Sequence, residues 1–182
     1  MTTMTQGFVA KSMTIAIASL LGACASVAPN APDAIAEIGP ASGSQVQGTA
    51  AFTRTPEGIH LAVKVSGLTP GEHGIHIHEV GDCSAPDATS AKGHFNPTNK
   101  PHGGHEGEHH AGDIPNLTAD SDGKADYSVD LSGLEIGSGD SNIIGRALII
   151  HAAPDDYRTQ PAGNSGKRIA CGVIKAEGPK AY

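Results

Sequence analysis

Three features of the sequence predict an all-β domain of about eight short strands. Glycine supplies 24 of the 182 residues, while aromatic side chains make up only 3%, a composition suited to tight turns more than to helix packing. After the first 25 residues no long apolar stretch repeats with the 3.6-residue period of an amphipathic helix. Short segments instead alternate apolar and polar residues, the two-residue period of a half-buried strand. The length suits one domain with a real core, and neither an internal repeat nor a second domain is visible.

The chain opens differently from its remainder. Lys11 is the only charged side chain among the first 30 residues, and it precedes the apolar run Ser12–Ala23, SMTIAIASLLGA. Those 12 residues are too few to span a bilayer as a helix, and a basic residue followed by a short apolar run is the pattern of an export signal. The run ends in Leu21-Gly22-Ala23-Cys24, which resembles a bacterial lipobox, where the cysteine is lipidated and becomes the first mature residue. The expected organisation is a signal peptide over 1–23, a lipidated Cys24 opening an Ala/Pro-rich tether over 24–34, and a folded domain over 35–182. Ala25 follows the cysteine where an Asp would retain the protein at the inner membrane. A lipid-anchored, periplasm-facing place in the cell envelope is therefore expected, with the outer membrane favoured.

Strands are expected near 34–39, 45–53, 58–66, 73–79, 114–119, 125–131, 146–151 and 169–174. In GIHLAVKVSGL, Leu61, Val63 and Val65 alternate with His60, Ala62 and Lys64, which puts His60 on a solvated face. Asp122-Gly123 marks a turn between strand-like segments, the signature of a hairpin. GRALIIHA is apolar enough for a buried strand ending on His151, and RIACGVI reads as the last strand, carrying Cys171. Two connections, 80–113 and 152–168, are too long for hairpins and dense in His, Asp, Gly and Pro. Such loops in a compact β domain are usually functional or disordered.

Charge and cysteine count narrow the function. The formal net charge is −7, and removing residues 1–23 takes away only Lys11, leaving 11 basic against 19 acidic groups, or −8. That sign, with no basic run, excludes a nucleic-acid binder. Three cysteines in an exported chain leave one over. If Cys24 carries lipid, Cys83 and Cys171 remain, and one intramolecular bridge can form. It would close a long loop and contribute roughly 4–5 kcal/mol in the chain-entropy model, in an oxidising compartment.

The chemistry concentrates in histidine. HGIHIHEVGDCS, residues 73–84, places His76 and His78 two apart, hence on one face of a strand. The long loop adds His94 in KGHFNP, then His102, His105, His109, His110 and Asp113 in KPHGGHEGEHHAGD, and His151 follows later. Neutral imidazoles and a carboxylate, with no thiolate, suit Zn(II) and Cu(II).

HGIHIHEVGDC, GHFNP, HGG, HHAGD, NIIGRALIIHA and AGNSGKRIACGVI, co-linear over about residues 36–175, resemble the successive signatures of copper/zinc superoxide dismutases. With the lipobox, the resemblance is to the bacterial exported lipoprotein branch. It implies an antiparallel Greek-key sandwich of eight strands, with copper on His76, His78, His94 and His151, and zinc on His94, His102, His110 and Asp113. His94 would bridge the two as an imidazolate. Asp155 would orient one ligand of each metal, Arg168 would hold the superoxide anion beside copper, and Cys83 and Cys171 would form the disulfide. The implied reaction converts superoxide to O2 and hydrogen peroxide through Cu(II)/Cu(I), with His94 and Arg168 as the catalytic residues.

His73 matches a structural position of that family. His105 and His109 match no ligand, although HGGHEGEHH is dense enough to hold a further ion loosely at the surface. The connection between His151 and Arg168 is shorter than in eukaryotic relatives, and Arg158 and Lys167 are the cations left there to steer substrate. Two rivals share the residues. A metal-storage protein would need neither Arg168 nor Asp155, and a non-enzymatic interaction module would be expected to lose copper ligands. No motif fixes the oligomeric state, and a homodimer is compatible with the sequence.

Overall fold

Alternation along GIHLAVKVS folds as it reads: Ile59, Leu61, Val63 and Val65 are buried, and Lys64 is exposed. The computed structural model describes residues 1–3 and 31–178; most of the expected signal peptide and Cys24 lie outside the described residues. The strands are β1 (Ala34–Pro40), β2 (Gln47–Thr55), β3 (Gly58–Ser66), β4 (Gly71–His78), β5 (Asp113–Ala119), β6 (Ala125–Ser132), β7 (Ala147–His151), β8 (Arg168–Val173) and the short β9 (Lys175–Ala176). The first eight fall within about two residues of their expected bounds.

Hydrogen bonding runs in the order β5-β4-β7-β8-β1-β2-β3-β6, all pairs antiparallel, and curls the sheet into a nearly closed barrel. Its interior is filled by Phe52, Ile59, Leu61, Ile75, Ile77, Ile114, Leu117, Leu148 and Ile150, all buried. β9 pairs with β1 beyond the end of β8.

The expected hairpin at Asp122-Gly123 is a turn without a ladder. Asp120 Oδ1 accepts from the N–H groups of Asp122 and Lys124, both at 2.9 Å, and Gly123 takes φ 72°, which favours glycine. The flanking strands then part, β5 pairing with β4 and β6 with β3. Pro115 has no N–H to donate, and the β4–β5 register shifts between His73 and Ile75. The seam is spanned by the Tyr127 hydroxyl, which donates to the Pro115 carbonyl at 2.8 Å.

A third long connection, residues 133–146, was not expected. It sends Leu134, Ile136 and Ile143 into the core, and the Arg54 guanidinium donates to the Ile136 carbonyl. Its apolar residues follow no regular period, so alternation could not reveal it. The other two long connections lie over the barrel's outer surface, where Cys83 is disulfide-bonded to Cys171 of β8 with Cα atoms 5.8 Å apart.

Candidate metal centre

β4 is buried on both faces, which explains its unusual sequence. Ile75 and Ile77 enter the barrel core, while His76 and His78 alternate with them and are also fully buried. The connections after β4 and β7 supply what covers them. The β4–β5 connection brings His94, His102 and His110, β5 opens on Asp113, and β7 ends on His151.

Two groups result. His76, His78, His94 and His151 each offer a ligand atom within 4.8 Å of the others, and so do His94, His102, His110 and Asp113. His94 belongs to both. Six buried ring nitrogens have no hydrogen-bond partner: His76 Nδ1, His78 Nε2, His94 Nε2, His102 Nδ1, His110 Nδ1 and His151 Nε2. Buried polar atoms without partners are uncommon and costly, and six of them in two adjoining pockets fit cation binding. In the second pocket Asp113 Oδ1 is the common anion, 2.7, 3.0 and 3.2 Å from Nδ1 of His94, His102 and His110.

The opposite ring nitrogens are committed to acceptors, which fixes each tautomer. His76 Nε2 donates to Asp155 Oδ2 at 2.7 Å, and His102 Nε2 donates to Asp155 Oδ1 at 2.9 Å. His78 Nδ1 donates to the Lys92 carbonyl at 2.8 Å and His151 Nδ1 to the Gly166 carbonyl at 3.2 Å. Each ring therefore turns its other nitrogen inward, the arrangement metal-ligating histidines show.

The electrostatics agree with that division. Burial lowers His76 to about 4, against the pull of Asp155, and lowers His151 to about 3, helped by the nearby His76. Burial also holds His78 and His110 below the ordinary histidine value. His102 is the exception. Burial opposes its charging, but the carboxylates of Asp113, 3.0 Å from Nδ1, and of Asp155, bonded to Nε2, prevail and raise it to about 9. Burial would raise both carboxyls, yet their histidine partners hold Asp113 and Asp155 well below the usual carboxylate range.

Asp155 is itself held by residues that the sequence did not single out. Asn116 Nδ2 donates to the Asp155 carbonyl at 3.0 Å, and the Asp155 N–H donates to Asn116 Oδ1 at 2.9 Å. The Gln160 amide brackets His102 in the same manner, accepting from its N–H at 2.9 Å and donating to its carbonyl at 2.8 Å. A Cβ on Gly163 would lie 1.7 Å from Asp155 Oδ1 and 2.7 Å from His102 Nε2. Only glycine fits there. No local pattern marks Asn116 or Gln160, because their partners lie 39 and 58 positions away in the chain.

Arg168 opens β8 directly opposite His151. Its Nη1 donates to the Ala88 carbonyl at 2.7 Å and its Nη2 to the Lys92 carbonyl at 2.6 Å. Partial burial lowers its pKa, and its charge contributes to the lowering at His78 and His151. Arg158 and Lys167 are exposed on the β7–β8 connection. His73 is structural, with Nδ1 against the His151 carbonyl at 2.8 Å and Nε2 against that of Thr69 at 2.9 Å. His60 pairs with Asp130 on the surface. His105 and His109 join neither pocket.

An antiparallel β-barrel carrying an all-imidazole pocket and an imidazole–carboxylate pocket that share one ring defines a protein with the donor sets to hold two adjoining metal ions. The chain belongs to the copper/zinc superoxide dismutase family, whose model matches residues 46–174. It is 46% identical over 135 residues to a Cu-Zn superoxide dismutase of Aquifex aeolicus, covering 70% of this chain and 79% of that protein. It is 40% identical over 176 residues to a Cu-Zn superoxide dismutase of Deinococcus radiodurans, covering 89% and 93%. Among solved structures, a SOD-like protein from Bacillus subtilis superposes with a TM-score of 0.69 at 40% identity, covering 76% of this chain and 95% of that one.

Proposed function

We infer that this chain is a superoxide dismutase, an oxidoreductase whose site takes copper in the first pocket and zinc in the second. The observation that carries the reading is the set of six partnerless buried nitrogens, divided between two pockets that share His94. Four imidazoles suit copper, and three imidazoles with one carboxylate suit zinc. The copper ligands would be His76 Nδ1 and Nε2 of His78, His94 and His151. The zinc ligands would be Nδ1 of His94, His102 and His110 with Asp113 Oδ1. Copper, when bound, supplies the Cu(II)/Cu(I) couple by which two superoxide anions and two protons become O2 and hydrogen peroxide.

The chain's own residues do the rest. Asp155 keeps His76 and His102 turned inward through its two oxygens. His94 Nε2, which has no partner within the protein, can hold a proton when it is not a ligand and so can supply one to the reacting anion. Arg168 spends one N–H of each terminal nitrogen on a carbonyl and retains a second on each, a paired donor suited to a small anion. Superoxide decay measured on metallated protein, with copper and zinc quantified on the same sample, tests the reading. Fast decay scaling with copper content is expected; full occupancy of both metals without it would leave a metal-storage protein.

We further propose that Cys24 anchors the protein by lipid at the cell envelope, facing the periplasm. The support is the Lys11, apolar-run and Leu21-Gly22-Ala23-Cys24 sequence, followed by a Pro-containing tether before β1. Cys24→Ser should remove the protein from the membrane fraction while activity per folded molecule is kept. A Cys24→Ser chain that stays membrane-bound at the wild-type mass would refute the lipid.

A further inference from the structure

The chain has ten histidines, all among the described residues. Six belong to the two buried pockets, His73 is bridged between main-chain carbonyls, and His60 is paired with Asp130. His105 and His109 remain, on the β4–β5 connection, and they lie together with ring centres 4.6 Å apart. Rings within and between the buried pockets are spaced 4.0 to 6.4 Å apart, so this pair is as close as rings that share a pocket.

Each of the two rings has one nitrogen already committed. His105 Nε2 meets the Asp113 carbonyl at 2.9 Å, and His109 Nδ1 meets the Gly107 carbonyl at 2.8 Å. A carbonyl only accepts, so both nitrogens carry their protons, and each neutral ring leaves the other nitrogen bare. This is the commitment that orients metal-binding histidines, found here twice outside the described centre. His105 is exposed and His109 half-exposed, and the exposed carboxylates of Glu106 and Glu108 lie between them in the chain.

We propose that His105 Nδ1 and His109 Nε2 form an additional, solvent-accessible site for a borderline divalent cation, Zn(II) or Cu(II). Water completes its coordination. Two imidazoles with oxygen donors suit these ions better than Mg(II) or Ca(II), which favour all-oxygen shells. Few protein ligands and open solvent make it weaker and faster to exchange than the buried pockets. The site sits on the loop that carries His102 and His110.

The test uses the full chain with its buried pockets metallated and loosely held metal removed. Zn(II) is then titrated by equilibrium dialysis, and Cu(II) by electron paramagnetic resonance in a parallel sample. One further equivalent should bind the wild type, with a nitrogen-coordinated Cu(II) signal distinct from that of the buried copper. His109→Ala should abolish that equivalent, while His60→Ala should retain it. No further equivalent in the wild type, or the same equivalent in His109→Ala, would overturn the site. The comparison counts metal and not turnover, so it is independent of whether the protein dismutes superoxide.

Discussion

The side-chain amide of Gln160 pairs with both main-chain polar groups of His102, as a neighbouring strand would, with bonds of 2.9 and 2.8 Å. His102 lies in a connection without strands, so this clamp substitutes for a ladder and fixes where its ring begins. Gln160→Ala should weaken zinc binding by about tenfold, the range seen when support behind a ligand is removed, with copper retained. Gln160→Glu keeps the acceptor and loses the donor, and should fall between. Chelator competition measures both; wild-type zinc retention in Gln160→Ala would show that the clamp is dispensable.

Asp113 and His151 divide the two pockets. Asp113→Ala removes the one carboxylate within reach of His94, His102 and His110, so zinc should be lost first and residues 94–113 should exchange amide hydrogens faster. His151→Ala should remove copper and turnover while zinc remains. Metal analysis giving the reverse assignment would overturn the division between the pockets.

Zinc and copper uptake should differ in pH dependence when each is added alone to metal-free protein. His102 is raised to about 9, so below that pH it holds a proton that zinc must displace. Apparent zinc affinity should therefore rise with pH up to about 9 and level off above it, with a proton released per ion at pH 7. His76 and His151 are lowered to about 4 and about 3 and are already neutral there, so copper displaces no proton from them. Calorimetry in buffers of different ionisation enthalpy reads the protons released. Zinc uptake without proton release at pH 7 would contradict the assignment.

The role proposed for Arg168 is to capture an anion that the rest of the chain repels, since residues 24–182 carry a formal −8. Reversing its charge should slow the second-order rate by roughly 10- to 1000-fold, with Arg168→Lys milder and copper occupancy unchanged in both. Added salt should slow the wild type but slow Arg168→Glu less, because screening then relieves repulsion. Equal low-salt rates for wild type and Arg168→Glu would remove the residue from substrate capture.

Both carbonyls that Arg168 binds belong to residues with left-handed backbone, Ala88 at φ 57° and Lys92 at φ 61°. Lys92 also has ψ −146°, a region nearly reserved for glycine. Strain of this kind costs on the order of 1–3 kcal/mol, so Lys92→Gly should stabilise the fold by about 1 kcal/mol. Denaturant midpoints at constant slope would show it, and a lower midpoint would mean the lysine side chain contributes more than its backbone costs.

The strands were legible because one-sided burial writes an alternating pattern, as along Ile59–Val65. Within β4 the alternation is between isoleucine and histidine, so the sequence shows the metal-facing side as clearly as the core side. The connection over 133–146 has no period, and its Leu134, Ile136 and Ile143 were invisible for that reason. Among site residues, His and Asp declare themselves by chemistry, whereas Asn116, Gln160 and Gly163 act through main chain or through the space they leave. Asp122-Gly123 makes a turn without a hairpin, because turn residues specify a reversal and not the ladder that follows it.

β1 lies between β2 and β8, with Gly39 opposite Cys171 and Pro40 opposite Ala170. During synthesis the first strand is therefore finished long before β8 and β9, two of its three partner strands, exist, and such distant pairings form slowly. A nascent chain that stops short of β8 has no Arg168 and no partner for Cys83, and its His151 lacks the neighbouring strand that holds it in register. Loading of the all-imidazole pocket must then follow completion of the polypeptide, so the metal supply that matters is the one met by the finished protein.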